Sequence, residues 1–542
     1  MSNYELVRDE KRVEEILKSL DISKPIYLDT ETIGLYGFVR LLQIYQEGMQ
    51  KPVIFDGYYV NIDKIAKFLE NKFKLVGYNL SYDFSCLNIN PAPENFEDLF
   101  FASKLKFYML DKYNLDNVLE NIGINISSDK KAMQKASWDG VLTEKQLIYA
   151  AEDVLYLPIL YEEVKPILKD YFVYTLDKVA LHHTLKVQKI GLKVDREKHK
   201  TKFKETLSKL EEIANQLPIN YNSPKQVTEF LGTKKADVDT LKNLMYEGDK
   251  RAELIYYAKK YDKQLQFLRK YDKDRVYGHF NPAGAVSGRF SCSQENIQQI
   301  PRDVKSVFGF SKEENKVFVS VDYPQIELRL AVCIWGEPLM EKLFKEGKDL
   351  HIATASFIYN KPENEITKTE RQVAKSANFG LLYGMGIERF RQYVRTNTGI
   401  LLSFEEAKEA REKWLTIYQG FWLKHREVAK EYRKNGYYVG STALGRVYKG
   451  KTLNDSLNIQ IQGSGAELIK LALHYAFKKK PNLKVCNIIH DALYVEATKN
   501  EAEEAGQVLK EAMQEAWNEM LPLFPKCNDL PLPLEVEIST HL

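Results

Sequence analysis

Cysteine is scarce: five residues, Cys86, Cys292, Cys333, Cys486 and Cys527, are scattered through 542 positions. Their odd number and the absence of C-x-x-C spacing exclude a disulfide framework and a zinc site, and point to a reducing compartment, cytoplasmic or another intracellular one. No apolar run is long enough to cross a membrane, so no membrane partner is expected. The opening stretch Met1 to Glu10 is charged and lacks the apolar core of a signal peptide. Neither sign of charge prevails: 78 Lys and Arg face 75 Asp and Glu, a formal charge of +3 at pH 7, which is far from the basic footprint of a small nucleic-acid-binding domain. Internal repeats and low-complexity tracts are also missing, which excludes a solenoid or a disordered scaffold. What remains is a chain of globular composition too long for one ordinary core, so two or more packed units are expected.

Composition turns Lys-rich a little beyond Asp170, and the main boundary is placed there. Before it, the apolar runs Ile26-Tyr27-Leu28, Val53-Ile54-Phe55 and Leu75-Val76-Gly77-Tyr78 alternate with helical stretches such as Ile62 to Leu69, the pattern of an α/β unit. Residues 196 to 275 read as a long-helix projection with one clear turn signal, Tyr221-Asn222-Ser223-Pro224. That stretch holds 19 Lys and Arg against 13 Asp and Glu. The excess reads equally as a phosphate grip and as a solvated helical face. Further on, Val317 to Asp322 has the pattern of a buried strand and Val485 to Val495 that of a hairpin.

Asp29 and Glu31 stand two residues apart at the end of the first apolar run, and the strand period of two puts both carboxylates on one face. Two acids on one face repel unless a cation joins them, and hard oxygen donors suit Mg²⁺ or Mn²⁺. Taken alone, Asp-x-Glu reads more readily as a solvated turn. Asn79-Leu80-Ser81-Tyr82-Asp83 and Tyr149-Ala150-Ala151-Glu152-Asp153 follow, with Tyr149 and Asp153 four apart on one helix face. With these, residues 1 to 165 resemble the DEDDy 3′-to-5′ exonuclease family. The resemblance implies a ribonuclease H-like α/β fold in which Asp29, Glu31, Asp83 and Asp153 bind two metal ions and Tyr149 orients the attacking water.

A second acidic constellation lies downstream. Asp322 ends an apolar run and is followed by Tyr323-Pro324-Gln325-Ile326-Glu327-Leu328-Arg329; His490-Asp491 interrupts the apolar hairpin in the same way. If the strands are neighbours, the two carboxylates can share metal ions at a phosphoryl-transfer site. Either acid alone reads better as a paired structural carboxylate. Between them, Thr367-Lys368-Thr369-Glu370 has capping-box spacing, and Arg371, Lys375 and Phe379 then recur every four residues. Such a stripe reads as a solvated face, or as a clamp for triphosphate oxygens beneath an aromatic cover.

Arg371 to Gly384 resembles motif B of the family A DNA polymerases, Val321 to Arg329 resembles motif A, and Ile489 to Glu496 resembles motif C. The likeness extends to Ser287-Gly288-Arg289-Phe290-Ser291, Asn296 to Arg302, Asp349-Leu350-His351, Asn458 to Ser464 and Asn222-Ser223-Pro224-Lys225-Gln226, covering nearly all of residues 170 to 542. It implies an α+β right hand over 166–542, with a thumb at about 196–275, fingers at about 335–455 and a palm from the remainder, following an exonuclease domain at 1–165. It further implies a monomeric enzyme that adds dNTPs to primer-template DNA with two Mg²⁺ ions at each active site, Mn²⁺ being the alternative. Asp322 and Asp491 would hold the metals of synthesis. Arg371 and Lys375, aided by His351, would clamp the triphosphate, with Lys375 also donating a proton. Gln325 and Phe379 would contact the nucleotide, Glu327 would act as the steric gate against ribonucleotides, and Tyr383 would sit by the template base. Arg289, Asn296, Gln298, Asn458, Gln462, His490, Asn222 and Lys225 would contact DNA.

Two departures from the family pattern stand out. Motif C usually reads His-Asp-Glu, and Ala492 replaces its final acid; motif A has Pro324 where Ser is usual. The first implies weaker Mg²⁺ binding or a stronger Mn²⁺ preference. The chain also starts almost at the exonuclease strand, so a 5′ nuclease domain, and with it primer removal, is not expected.

Overall fold

The computed structural model describes residues 3–124 and 136–542. Residues 125–135 of the expected first domain, and Met1 and Ser2 of the charged N-terminal stretch, lie outside the described residues. Two compact units are present. One comprises Met1–Lys189 with the segments His279–Ser291 and Leu444–Lys449; the other comprises Ile190–Gly278, Cys292–Ala443 and Gly450–Leu542.

The first unit is built on a six-stranded mixed sheet: β1 (Glu5–Val7), β2 (Ile26–Ile33), β3 (Phe38–Tyr45), β4 (Val53–Asp56), β5 (Leu75–Gly77) and β6 (Phe96–Asp98), in the order β1-β4-β3-β2-β5-β6. Pairing is antiparallel for β2/β3 and β3/β4 and parallel elsewhere. Leu28, Leu42 and Ile44 point into the larger core, whereas Leu41 and Ile54 point to the opposite side, against Leu147, Ala150 and Ala151. β2 is therefore covered on both faces, which explains its continuous apolar start. The strand runs on to Ile33, so Asp29 and Glu31 lie within it and not at its end, as expected from the apolar run alone; Thr30 and Thr32, both strand formers, carry it past the acids.

Two helices complete the acidic face. α1 (Leu80–Cys86) starts at Asn79, whose backbone is left-handed, and the Asp98 carboxylate accepts from the Asn79 and Leu80 N–H groups at 3.0 and 2.9 Å. A carboxylate there offsets the positive end of the helix. α2 (Glu144–Leu155) begins with a reciprocal capping box between Thr143 and Gln146.

The two later segments are bound into this unit by a buried ion pair. Arg446 donates to Asp177 at 2.7 Å, with 4% and 0% of their side chains exposed. Gly288 makes room for it: its φ is +79°, and a Cβ there would lie 2.6 Å from the Arg446 Nε. Only glycine meets both conditions without strain.

The second unit contains the expected projection, resolved as α3 (Arg196–Ala214), α4 (Pro224–Leu231), α5 (Val238–Tyr246) and α6 (Lys250–Lys270). Turns at Gly232 and Gly248, both at positive φ, break the middle into two short helices where only the Tyr221 to Pro224 signal was expected. A four-stranded antiparallel sheet lies beyond: β7 (Lys316–Asp322), β8 (Val485–Ile489), β9 (Ala492–Thr498) and β10 (Val536–Ser539), in the order β8-β9-β7-β10. The helices α9 (Leu453–Lys479) and α10 (Ala502–Met520) pack against each other, and Gly506 of α10 admits Val319 and Val536. Alternation then turns Ser320 and Asp322 to the opposite face. Between the strands come α7 (Leu350–Tyr359) and α8 (Lys368–Gly380), the latter starting with the capping box expected at Thr367 and Glu370.

The buried pair yields a stability prediction. Asp177→Ala strands the Arg446 guanidinium without its carboxylate and lowers the stability of the first unit by about 3 to 5 kcal/mol; the check is the denaturant midpoint of that unit's transition, with Lys165→Ala, an exposed i,i+3 pair, as a control that shifts it by about 0.5 kcal/mol or less.

Candidate active sites

In the first unit, carboxylate oxygens of Asp29, Glu31 and Asp153 lie within 4.8 Å of one another. Asp83 is buried beside them, and the Thr30 hydroxyl donates to it at 2.6 Å. Burial pushes the Glu31 carboxyl well above its ordinary range, and Asp153 and Asp83 push it further. Asp83 rises to about 7, chiefly through burial, with Asp153 adding repulsion and the Thr30 hydrogen bond opposing it. Burial and the charges of Asp153, Glu31 and Asp29 likewise raise Tyr149, which therefore stays a phenol. Four acids facing one another across a sheet and two helices, with Glu31 and Asp83 raised chiefly by burial and further by neighbouring carboxylates, are a donor set that fits hard divalent cations. The five residues expected here are thus brought together.

In the second unit, Asp322 is the last residue of β7, and its register partner on β9 is Ala492. His490 and Asp491 form the two-residue turn between β8 and β9, with His490 at φ +54°. Asp491 thereby reaches Asp322: their side chains hydrogen-bond, and the Asp491 carbonyl accepts from the Tyr323 N–H at 3.3 Å. Desolvation raises the Asp322 carboxyl and the charge of Glu537 on β10 adds to the rise, opposed by the Tyr323 N–H, the hydrogen bond with Asp491 and the charge of His490. The Pro324 carbonyl accepts from Arg329 Nε at 3.0 Å. Gln325 follows at φ +51° and starts the helix Ile326–Trp335 that carries Glu327. The Tyr383 hydroxyl donates to Glu327 at 2.5 Å, so these two expected site residues meet directly.

On α8, Lys375 is exposed and Arg371 and Phe379 are half-buried, the stripe seen in the spacing. Arg371 donates through Nε and Nη2 to Asp349, at 3.1 and 2.8 Å. His351 is buried; its Nδ1 accepts from the Asn378 amide at 3.0 Å, which leaves the proton on Nε2. Burial lowers its pKa to about 4, and Arg371 and Lys375 act in the same direction. His351 is therefore a neutral donor. The sequence reading missed Asp349 and Asn378. Asp349 was quoted within Asp-Leu-His, and its N-cap position was a usable signal; Asn378, held by Trp414 and Thr354, gave none.

The remaining expected contacts fall into three groups. Asn458 and Gln462 are half-buried on one face of α9, and the Asn458 Oδ1 is a buried acceptor with no hydrogen bond. Gln298 gives its amide to the Ile488 carbonyl at 3.0 Å and Asn296 accepts from the Gln298 N–H, so both brace the loop beside β8. Asn222 and Lys225 are exposed at the start of α4, whereas Arg289 belongs to the first unit.

Residues 191–541 match the family model for DNA polymerase family A, and residues 4–169 match that for 3′-5′ exonuclease. The chain is 33% identical to DNA polymerase I of Aquifex aeolicus, across 96% of this chain and 97% of that protein. It is 25% identical to DNA polymerase I of Borreliella burgdorferi, across 96% of this chain and 63% of that one, and 31% identical to the thermostable DNA polymerase I of Thermus thermophilus over 49% of this chain and 32% of that protein. The POL domain of Pol1 from M. smegmatis, solved in complex with DNA primer-template and dNTP, has the same fold, with a TM-score of 0.77, 20% identity and 99% coverage of both chains. The chain therefore belongs to DNA polymerase family A and carries a 3′-5′ exonuclease domain ahead of its polymerase region.

Proposed function

We propose that the chain extends a primer 3′ end with deoxynucleotides copied from a template strand, and trims that same end at a second, hydrolytic site. The observation that carries this reading is the meeting of Asp322 and Asp491 at the strand ends of a sheet whose unit also holds the Arg371–Lys375–Phe379 stripe. In this reading the exonuclease domain spans 1–165 and the polymerase domain 166–542, with thumb, fingers and palm at about 196–275, about 335–455 and the remainder. The partners are primer-template DNA and dNTPs, and the enzyme acts as a monomer.

Asp322 and Asp491 would hold Mg²⁺ for synthesis, and Asp29, Glu31, Asp83 and Asp153 would hold it for hydrolysis. When bound, the ions neutralise charge on the transferring phosphoryl group and lower the pKa of the attacking hydroxyl or water. The protein's own groups do the rest. Asp349 holds Arg371 extended before the nucleotide arrives, and Lys375, exposed one turn on, supplies the second cation and a proton for the pyrophosphate. Neutral His351 donates from Nε2 without adding charge. Tyr383 fixes the Glu327 carboxylate where a ribose 2′-hydroxyl would collide with it. Asn458 and Gln462 offer amides to the minor groove, where acceptors recur at similar places in every correct pair, so shape is checked without reading sequence. Tyr149, kept a phenol, orients the hydrolytic water.

Extension of a mismatched primer separates the two sites. Wild type trims and then extends; Asp322→Ala shortens the primer without extending it; Asp29→Ala stalls at the mismatch but extends a matched primer. Absence of extension by wild type, or extension by Asp322→Ala, overturns the reading. The methyl group of Ala492 opposite Asp322 gives a second expectation. Ala492→Glu adds a donor to an under-ligated site and lowers the Mg²⁺ concentration for half-maximal extension by roughly threefold or more, measured by titrating Mg²⁺ in primer extension; the same substitution leaves primer shortening unchanged.

A further inference from the structure

The sheet face that carries Asp29 and Glu31 continues past them. Side chains alternate along β2, so Ile33 shares that face, and Ile33 pairs with Phe38 at the start of β3. Directly opposed residues of antiparallel strands point the same way, which puts Phe38 on the carboxylate face as well. At the strand rise, Ile33 lies roughly 7 Å beyond Glu31, within reach of the next nucleotide or two of an unpaired strand. Phe38 is 51% exposed, and Tyr58 and Tyr59, just after β4, are 50% and 58% exposed. Single exposed rings are ordinary, but three side by side next to a catalytic face are not.

These rings are held in place. Phe38 and Tyr58 stack with centroids 5.5 Å apart and planes 25° from parallel. The Arg40 guanidinium lies 4.0 Å from the Tyr58 ring centroid and that of Arg8 4.8 Å from the Tyr59 centroid. Both arginines pair with the one carboxylate of Asp56 beneath the rings. The Tyr58 hydroxyl donates to Asp139 at 2.9 Å. The hairpin that presents Phe38 is braced at its tip, where the Tyr36 ring stacks on His279, in the same unit, at 3.6 Å and 7°. Fixed, exposed aromatic faces suit the bases of single-stranded nucleic acid, since every base has a π face. Duplex bases, already stacked and paired, cannot use them.

We propose that Phe38, Tyr58 and Tyr59 form a stacking platform for the unpaired DNA bases leading up to the 3′ end that is trimmed at Asp29, Glu31, Asp83 and Asp153. The platform rests on the nuclease reading for its role, but not for its detection. Three probes in the full chain decide it: thymidine 5′-p-nitrophenyl phosphate, which has no second nucleotide; oligothymidylate; and oligothymidylate with 2-aminopurine third from the 3′ end, bound in EDTA. In Phe38→Ala/Tyr58→Ala, ester hydrolysis stays within about twofold of wild type, whereas KM for the oligomer rises about tenfold with kcat within about twofold. The quenching of 2-aminopurine seen with wild type is lost. Asp29→Ala shows the converse: ester hydrolysis is lost and quenching is kept. Unchanged KM and quenching in the double variant overturn the platform, and so does a parallel loss of ester hydrolysis. If wild type cleaves neither substrate, the nuclease reading fails and quenching alone decides whether the bases stack there.

Discussion

Carboxylates crowded together and withdrawn from water are the constraint on which both sites depend. Two unit charges 4 Å apart cost about 4 kcal/mol at an effective dielectric of 20, and three acids in the first unit stand within 4.8 Å. The crowding shows in the raised pKa values of Glu31 and Asp83, where burial is the larger cause and neighbouring carboxylates add to it; Asp322 in the other unit is raised chiefly by burial. A divalent cation relieves it, and in doing so becomes the centre about which phosphoryl transfer is arranged. In the proposed synthesis site, Ala492 opposite Asp322 contributes neither a charge nor a metal donor.

Acids this close must be fixed in place by the structure around them. In the first unit that structure is a strand covered on both faces, a threonine hydroxyl on Asp83, an aspartate capping α1 and a capping box starting α2. In the second it is the register of β7 with β9 and a two-residue turn with His490 in the left-handed region. Around the α8 stripe the same economy holds: Asp349 both caps α7 and holds Arg371, and Asn378 both fixes the His351 tautomer and accepts from Trp414.

The site acids were legible in the sequence because each stands at a recognisable local position, two apart on a strand, four apart on a helix, or interrupting an apolar run. The α8 stripe was legible for the same reason. What stayed hidden depends on distant partners. Arg446 and Asp177 are 269 residues apart, and nothing local to either foretells that short segments from the later half of the chain join the first unit. Asn378 looks like any polar residue within a helix until α7 and Trp414 surround it. The break of the projecting segment into two short central helices was present in the sequence as Gly232 and Gly248, and was masked by the helical period on either side.

Melting of the metal-free protein tests the central claim directly. The Asp83 carboxyl, raised from an ordinary 3.8 to about 7 in the folded chain, favours the folded state most when protonated, so its contribution is present at low pH and is lost as pH rises through about 7. Asp83→Asn keeps the acceptor for Thr30 and removes the titration. In EDTA the variant should match wild type only below about pH 4, pull ahead as pH rises, and melt higher than wild type above about pH 7, and added Mn²⁺ should reverse that order by stabilising wild type. A variant that melts lower than wild type in EDTA at every pH would contradict the account, because the acids would then be stabilising the fold without a cation.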